Sequence, residues 1–444
     1  MKFPTLAVLA FKYLVRYRRR YFFLFIALSM GFSIVSLLTA VKDSMDTNVY
    51  KSAQAHYAGD IVAVGYDNSM GDLNYLSADA QAGLYQAVEE AGIGETHIVE
   101  RTIFGSNGVL YFNGGAVRLK YVVGVDWDNE ASYFDSLNYR ERSIIPAIPA
   151  KNPSASPEGD VIYLSAPVAS QLNARTGDSL ILEVNTRWGQ KNTGVFIVGG
   201  IVEDSTIFGY YKVYIDRLVL NRLLLLDDGD CSIAGIFVND RWGVEKKRAL
   251  LQKALQHRLQ TGPIVHDRKE LDVAQLVPFK GLKVFLLTIP VYLSEVADLL
   301  GAMNIIAYFL YAMMLIIMMV SALVTYRLIL HERRRELGTM RAIGFYGADI
   351  RSILLLETLG LILASLAAGV VLVLLFQWLV TFIPFTWFPS FEIFLRNGKL
   401  RTLYLPRTVA VNVLAVFVSL FLAASVPVYR SSREPLPNML NGGR

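Results

Sequence analysis

His331-Glu-Arg-Arg-Arg-Glu-Leu-Gly-Thr-Met-Arg-Ala-Ile-Gly344 lies between two apolar runs, residues 305–324 and 353–376, each long enough to cross a bilayer. Three consecutive arginines beside such a run, Arg333, Arg334 and Arg335, serve as a positive-inside anchor. An anchor does not require the rest: Glu332 and Glu336 flank the arginines, and Gly338 and Gly344 bracket Thr339, Met340, Arg341, Ala342 and Ile343. Glycine weakens helix interiors and favours their ends, so this spacing predicts a turn or two of helix set off from the spans on either side. Leu337, Met340 and Ile343 recur every third residue as an apolar stripe inside a charged rim, the composition of a docking element.

Outward from this stretch, the apolar residues gather in four blocks. The chain has 444 residues, 53% of them hydrophobic, which is the balance of a membrane protein carrying a large water-exposed part. The net charge is +5, but the cations cluster at the ends of the apolar runs, which reads as membrane orientation and not as nucleic-acid binding. Cys231 is the single cysteine, so an intrachain disulfide and a cysteine metal cluster are both ruled out, and it reads as a small buried residue.

In chain order, residues 1–20 form an interfacial amphipathic helix, with Leu6, Leu9, Ala10, Tyr13 and Tyr17 on one face and Lys12, Arg16 and Arg20 on another. Residues 21–40 carry no charge and at ~1.5 Å per residue cover ~30 Å of hydrocarbon, giving an uncleaved first span. Residues 43–300 hold no comparable run and alternate strand and helix signals. An α/β part, about 43–126 and 230–267, is expected to be interrupted by a β-rich insert at about 127–229. A strand is expected at 264–266. The apolar segment 284–293, broken by Pro290, is too short to span and reads as a connector, with Ser294 capping a helix from Glu295 that rises as a stalk into span two, 303–326. There follow the charged loop 327–351, span three at 352–378, an aromatic loop at 379–407, span four at 408–428 and a tail at 429–444. Arginine counting over the short loops puts the N-terminus, the 327–351 loop and the tail in the cytoplasm, and the large domain outside.

The run Glu332-Arg-Arg-Arg-Glu336-Leu-Gly338-Thr-Met-Arg341-Ala342-Ile-Gly344, followed by Leu355-Leu356-Glu357, resembles the signature of the FtsX-like permeases. These are membrane subunits of ABC transporters of the MacB and lipoprotein-releasing LolC/LolE type. The resemblance implies an α-helical membrane protein with four transmembrane helices and a MacB-type periplasmic core domain between spans one and two. It also implies an inner-membrane location and a dimer with a second permease copy or paralogue. A separate cytoplasmic ABC ATPase would dock on residues 332–338 and 340–344, so that ATP acts only through the partner and the chain is not itself an enzyme. Among family members, the LolC/LolE type matches size and layout best, since MacB carries a fused ATPase. That match implies a membrane-anchored lipoprotein as cargo and mechanotransmission as the mode of action, with a periplasmic carrier or adaptor as a possible further partner. A MacB-like exporter of peptides, toxins or drugs shares these features. A membrane-anchored sensory receptor would need a cytoplasmic output module that the short loops do not provide.

The residues bear on mechanism independently. With Glu357 placed at the start of the third run, the four apolar cores read as free of ionisable side chains, which argues against a proton- or ion-coupled carrier. Asn412 reads as a bond to a neighbouring helix. Small residues at helical spacing (Ser29, Ser33, Ser36 and Ala40 in span one) mark close helix contacts, within one chain or across a dimer. No G-x-x-x-x-G-K-[ST] or G-x-S-x-G motif occurs, and the five histidines lack metal-ligand spacing. Acyl chains of a lipid-anchored cargo need an apolar place, and Val35, Leu37, Leu38, Ile305, Ile306 and Phe309 at the outer ends of spans one and two are the candidate pocket.

Overall fold

Ile61-Val-Ala-Val64 is apolar at every position, a pattern that fits a strand covered on both faces. The computed structural model describes residues 3–67, 74–105, 108–143, 160–186, 188–203, 208–238, 243–382 and 406–432, and it contains that strand as β1 (Ile61–Asp67). Ile61 and Ala63 pack with α3 (Ala78–Ala91) and α7 (Val244–Gln256) on one side. Val62 and Val64 pack on the other with α8 (Arg268–Leu276) and with residues from the end of α2 and the start of α9. The chain divides into two units, one of helices (1–45, 299–384 and 400–444) and one built on the sheet (46–298 and 385–399).

In the sheet unit the strand order is β12-β1-β11-β2-β5-β10-β7-β9-β8-β3-β4, with β6 paired to β9. The strands are β2 (Thr96–Gly105), β3 (Val109–Phe112), β4 (Gly115–Arg118), β5 (Tyr121–Val125), β6 (Tyr139–Arg142), β7 (Asp160–Ser165), β8 (Ser179–Asn185), β9 (Lys191–Val202), β10 (Lys212–Asp216), β11 (Ile233–Val238) and β12 (Leu282–Thr288). The long strand β2 pairs with β11 through residues 96–101 and with β5 through residues 102–105, so it joins the two halves of the sheet. The division expected at residue 127 is therefore not where the structure divides. The hairpin β3–β4 lies before it in sequence but pairs with β8 beyond it. The expected β-rich insert also contains helices α4 (Ala131–Asp135), α5 (Ala166–Leu172) and α6 (Arg217–Leu224).

Two local expectations change here. Residues 264–266 are not a strand; Val265 lies in a coil whose carbonyl accepts a hydrogen bond from the buried Arg248 guanidinium at 2.8 Å. The segment 284–293 is not a connector either. Leu282–Thr288 is the strand β12 against β1, and Pro290 stands in the first turn of α9 (Ile289–Glu332), where a missing N–H costs nothing. Ser294 is accordingly inside that helix; its hydroxyl donates to the Val291 carbonyl at 2.6 Å and accepts from Arg268 N at 2.9 Å. Ser77 caps α3, accepting from Ala80 N, as a serine ahead of a helical run signals.

The end of α2 (Arg18–His56) is held in this unit by several polar contacts. Asp60 accepts from Tyr50 at 3.1 Å, Gln54 at 2.7 Å and Val238 N at 3.0 Å. The buried Arg101 donates to the Ala55 and His56 carbonyls at 2.5 and 2.9 Å and pairs with buried Glu130. Tyr57 stacks on Tyr292, with ring centroids 3.7 Å apart.

The helical unit contains α1 (Phe3–Arg16), α10 (Arg334–Ala342), α11 (Gly347–Thr381), α12 (Pro406–Ser432) and most of the apolar lengths of α2 and α9. Among the described residues, four helices, α2, α9, α11 and α12, are long and apolar enough to cross a membrane. Ser29, Ser33, Ser36 and Ala40 are all buried within this one chain. A side chain at Gly369 of α11 would collide with Phe32 and the Ser29 carbonyl, so α2 and α11 approach as closely as those residues allow. Asn412 donates to Thr39 at 2.7 Å, the interhelical bond its position predicts. The aromatic loop expected at 379–407 and the tail at 429–444 lie largely outside the described residues.

Candidate functional site

The stretch 331–344 contains the nine-residue helix α10, set between α9 and α11. Its start is fixed from inside. Arg333 is 1% exposed and donates to Glu357 of α11 at 2.6 and 3.4 Å, to the Tyr21 hydroxyl of α2 at 3.1 Å and to Glu336 at 3.4 Å. Tyr21 in turn donates to Glu357 at 3.0 Å. The guanidinium also lies 5.1 and 4.8 Å from the ring centroids of Tyr13 and Tyr17, a placement that favours a cation. Tyr17 donates to Glu336 at 2.6 Å, and that bond holds the phenol above its ordinary pKa.

This geometry corrects three sequence expectations. Arg333, read as part of a docking rim, is an interior residue, because Glu357 and Tyr21 give it the only environment in which a buried guanidinium is tolerable. Leu337 and Gly338 are also buried, and Met340 is half-buried against Ala10 and Ile353, so the apolar stripe points mostly inward. Only Ile343 of that stripe, 75% exposed, remains outside. Finally, Glu357 is not at the margin of the third run: it sits fully buried among the apolar residues of α11, so that span does carry an ionisable group.

The remaining candidates are distributed as follows. Glu332 is exposed and pairs with Arg20 at 3.4 Å. Arg335, Ala342 and Gly344 are exposed, and Arg334 is half-buried. Arg341 donates to the Ser432 carbonyl of α12 at 3.2 Å. Gly344 has φ +108°, a conformation that turns the chain from α10 towards α11 and that glycine adopts without strain. Tyr346, 77% exposed and three residues beyond Ile343, was not among the predicted residues; the aromatic pair Phe345-Tyr346 between Gly344 and Gly347 is the signal that marks it.

Of the apolar pocket candidates, Val35 is fully buried in the helix core with Phe32 and Met318 and so has no free face for cargo. Leu37 and Leu38 are half-buried, and Ile305, Ile306 and Phe309 are exposed on α9. The predicted interfacial face of α1 is likewise turned inward: Leu9, Ala10 and Tyr13 pack near Ile353 and Leu356 of α11. Among the described residues no cluster of His, Cys, Asp and Glu could hold a metal ion.

Residues 308–436 match the FtsX-like permease C-terminal family. The chain carries an FtsX-like permease domain. That domain belongs to membrane subunits of ABC transporters and implies an ATPase partner; the matched stretch contains α10, α11 and α12 and the C-terminal part of α9. No curated protein matches the chain. Two of the solved structures similar to part of the chain are domains of ABC-type transporters. One is the extracellular domain of the noncanonic ABC-type transporter YknZ from Gram-positive bacteria, 8% identical over 50% of this chain and 98% of that one, with a TM-score of 0.29. The other is the periplasmic region of MacB from Actinobacillus actinomycetemcomitans, 12% identical over 55% and 96%, with a TM-score of 0.30.

Proposed function

We propose that the FtsX-like permease domain receives movement from a separate cytoplasmic ATPase through α10 and that the chain, paired with a second copy or paralogue in the inner membrane, passes it to an extracytoplasmic cargo. The observation that carries this reading is the two-sidedness of α10. Its inner side is tied to α2 and α11 through Arg333, Tyr21 and Glu357, and its outer side with the turn that follows it exposes Arg335, Ile343 and Tyr346 to a partner. A rigid element with an exposed apolar tip and a charged rim transmits a push better than a loop that can yield. No catalytic group is needed in the chain, since ATP acts through the partner.

For the cargo we infer an acylated lipoprotein. Each buried CH₂ holds it in the bilayer by ~0.8 kcal/mol, so its release needs work and an apolar resting place. Exposed Ile305, Ile306 and Phe309 with half-buried Leu37 and Leu38 supply the apolar surface. The docking half of the proposal is tested by co-purification of the ATPase with Ile343→Asp and Gly344→Val variants. A β-branched residue at φ +108° costs on the order of 1–3 kcal/mol and displaces the tip. Both variants should insert normally and lose the ATPase; wild-type recovery of the ATPase with both would sink the assignment.

A further inference from the structure

At one end of the helical unit, the first turns of α11 and the last turns of α12 leave a recess lined by Arg351, Leu355, Leu422, Val426, Tyr429 and Arg430, among others. Its chemistry is graded. Arg351 and Arg430 stand at its rim, and neither has a hydrogen-bonded or acidic partner among the described residues; the Arg351 guanidinium lies 5.9 Å from the Tyr429 ring centroid. Leu422 and Val426, 61% and 45% exposed, continue from the rim along α12 into its uncharged length. Arg333, by contrast, is neutralised by Glu357, and Arg20 is paired with Glu332. A second recess, lined by Arg18, Arg19, Phe22 and Phe23 of α2, repeats the same order of two arginines followed by exposed apolar side chains. No acidic residue precedes Asp43 in the chain.

We propose that the groove between α11 and α12 is a binding site for an acidic glycerophospholipid. Arg351 and Arg430 hold the phosphodiester, and an acyl chain runs along Leu422, Val426 and Leu355. The ligand must be anionic at one end and hydrocarbon at the other, because the lower wall belongs to a helix apolar enough to cross a membrane. A free phosphate would satisfy the rim and leave that wall exposed, whereas a zwitterionic lipid would cover the wall and gain little from two guanidinium groups. A merely orienting positive charge needs no groove and no apolar wall beneath it. This inference does not depend on the docking role of α10.

The test uses the full-length chain in mixed micelles with phosphatidylglycerol carrying a diazirine in its acyl chain, and maps the labelled residues by mass spectrometry. Label should appear at Leu422 and Val426. Each cation near an anionic lipid contributes about a five-fold preference, so Arg351→Gln with Arg430→Gln should reduce labelling by about 25-fold. Arg351→Lys with Arg430→Lys, which keeps the charge, should stay within a few-fold of wild type. If the glutamine variant fails to insert, a salt titration of the wild-type protein still decides, since labelling should fall as screening shortens the reach of the arginines. Equal labelling by a phosphatidylcholine analogue, insensitivity to both salt and substitution, or displacement of the label by millimolar inorganic phosphate would each overturn the proposal.

Discussion

Replacing Glu357 by glutamine should be one of the most damaging conservative changes in the helical unit. Arg333 and Glu357 are 1% and 0% exposed in their side chains and meet at 2.6 Å. At an effective dielectric of 20, two unit charges at that distance attract by about 6 kcal/mol, while removing each ion from water costs several kcal/mol. The intact pair thus adds little net stability. Glutamine keeps one acceptor but removes the buried countercharge, leaving the guanidinium with the half-exposed Glu336, the Tyr21 hydroxyl and the Tyr13 and Tyr17 rings, a loss of about 3–5 kcal/mol. Replacing both ions with methionine removes the desolvation cost as well and should bring stability back to within about 1–2 kcal/mol of wild type, or above it. Thermal unfolding in detergent of wild type, Arg333→Met, Glu357→Met and the double-methionine variant, the four corners of one double-mutant cycle, gives the coupling directly. A Glu357→Gln variant as stable as wild type, with no coupling in the cycle, would refute the buried pair and with it the fixed inner side of α10.

Further outcomes follow from other parts of the chain. Arg101→Met should cost about 3–5 kcal/mol in thermal unfolding, because it strands the 3%-exposed Glu130 and unbinds the Ala55 and His56 carbonyls; the same loss from Glu203→Ala, whose ion pair with Arg140 is exposed, would contradict it. Desolvation, then the charges of Lys212, Arg101 and Lys120, hold the fully buried His56 imidazole well below its ordinary pKa, and neither ring nitrogen has a hydrogen-bond partner among the described residues. The unfolded chain therefore takes up a proton that the folded domain refuses, so stability should fall as pH drops below about 6.5, by up to ~1.4 kcal/mol per unit. His56→Phe, which suits the neighbouring Tyr57, Tyr121 and Phe208 rings, should remove that slope, and melts with an unchanged slope would disprove the assignment. Photo-crosslinkers at Leu38 and Ile306 should capture a triacylated protein when ATP is withheld; capture of soluble peptides or small drugs alone would favour an exporter.

Much of this architecture is readable along the chain because it is local. Uncharged runs mark the helices that can span, Ser77 marks the start of α3, and Gly344 marks the end of α10. Strands were visible where alternation or continuous apolarity reported burial, as in β1. What the chain could not show is pairing over distance. Nothing near Arg333 in sequence distinguishes it from Arg334 and Arg335; the difference is made by Tyr21 and Glu357, 312 and 24 residues away. The same holds for β3–β4, whose partner strand β8 lies across a proline-rich stretch that looks like a boundary. Periodicity also misassigned the faces of α1 and α10, since an apolar stripe seeks any apolar neighbour, and here that neighbour is α11.

Arginine illustrates why composition and structure answer different questions in this chain. Counted along the sequence, Arg333, Arg335, Arg351 and Arg430 all report the same thing, the side of the membrane on which the loops lie. Their surroundings separate them into three kinds. Arg333 spends its charge on Glu357 inside the bundle, where an apolar pair would fill the space at no greater cost, so its value lies in fixing where α10 sits relative to α2 and α11. Arg335 faces outward from that fixed helix, beside no interior partner, and is therefore available to a surface that approaches it. Arg351 and Arg430 line an apolar groove between two other helices, where a ligand that is part anion and part hydrocarbon would meet both the charges and the wall. A substitution of any one of them by lysine keeps the count and the orientation, yet at Arg333 it would lose the fork that reaches Glu357 and Tyr21 together, while at the groove it would leave the charge that matters in place.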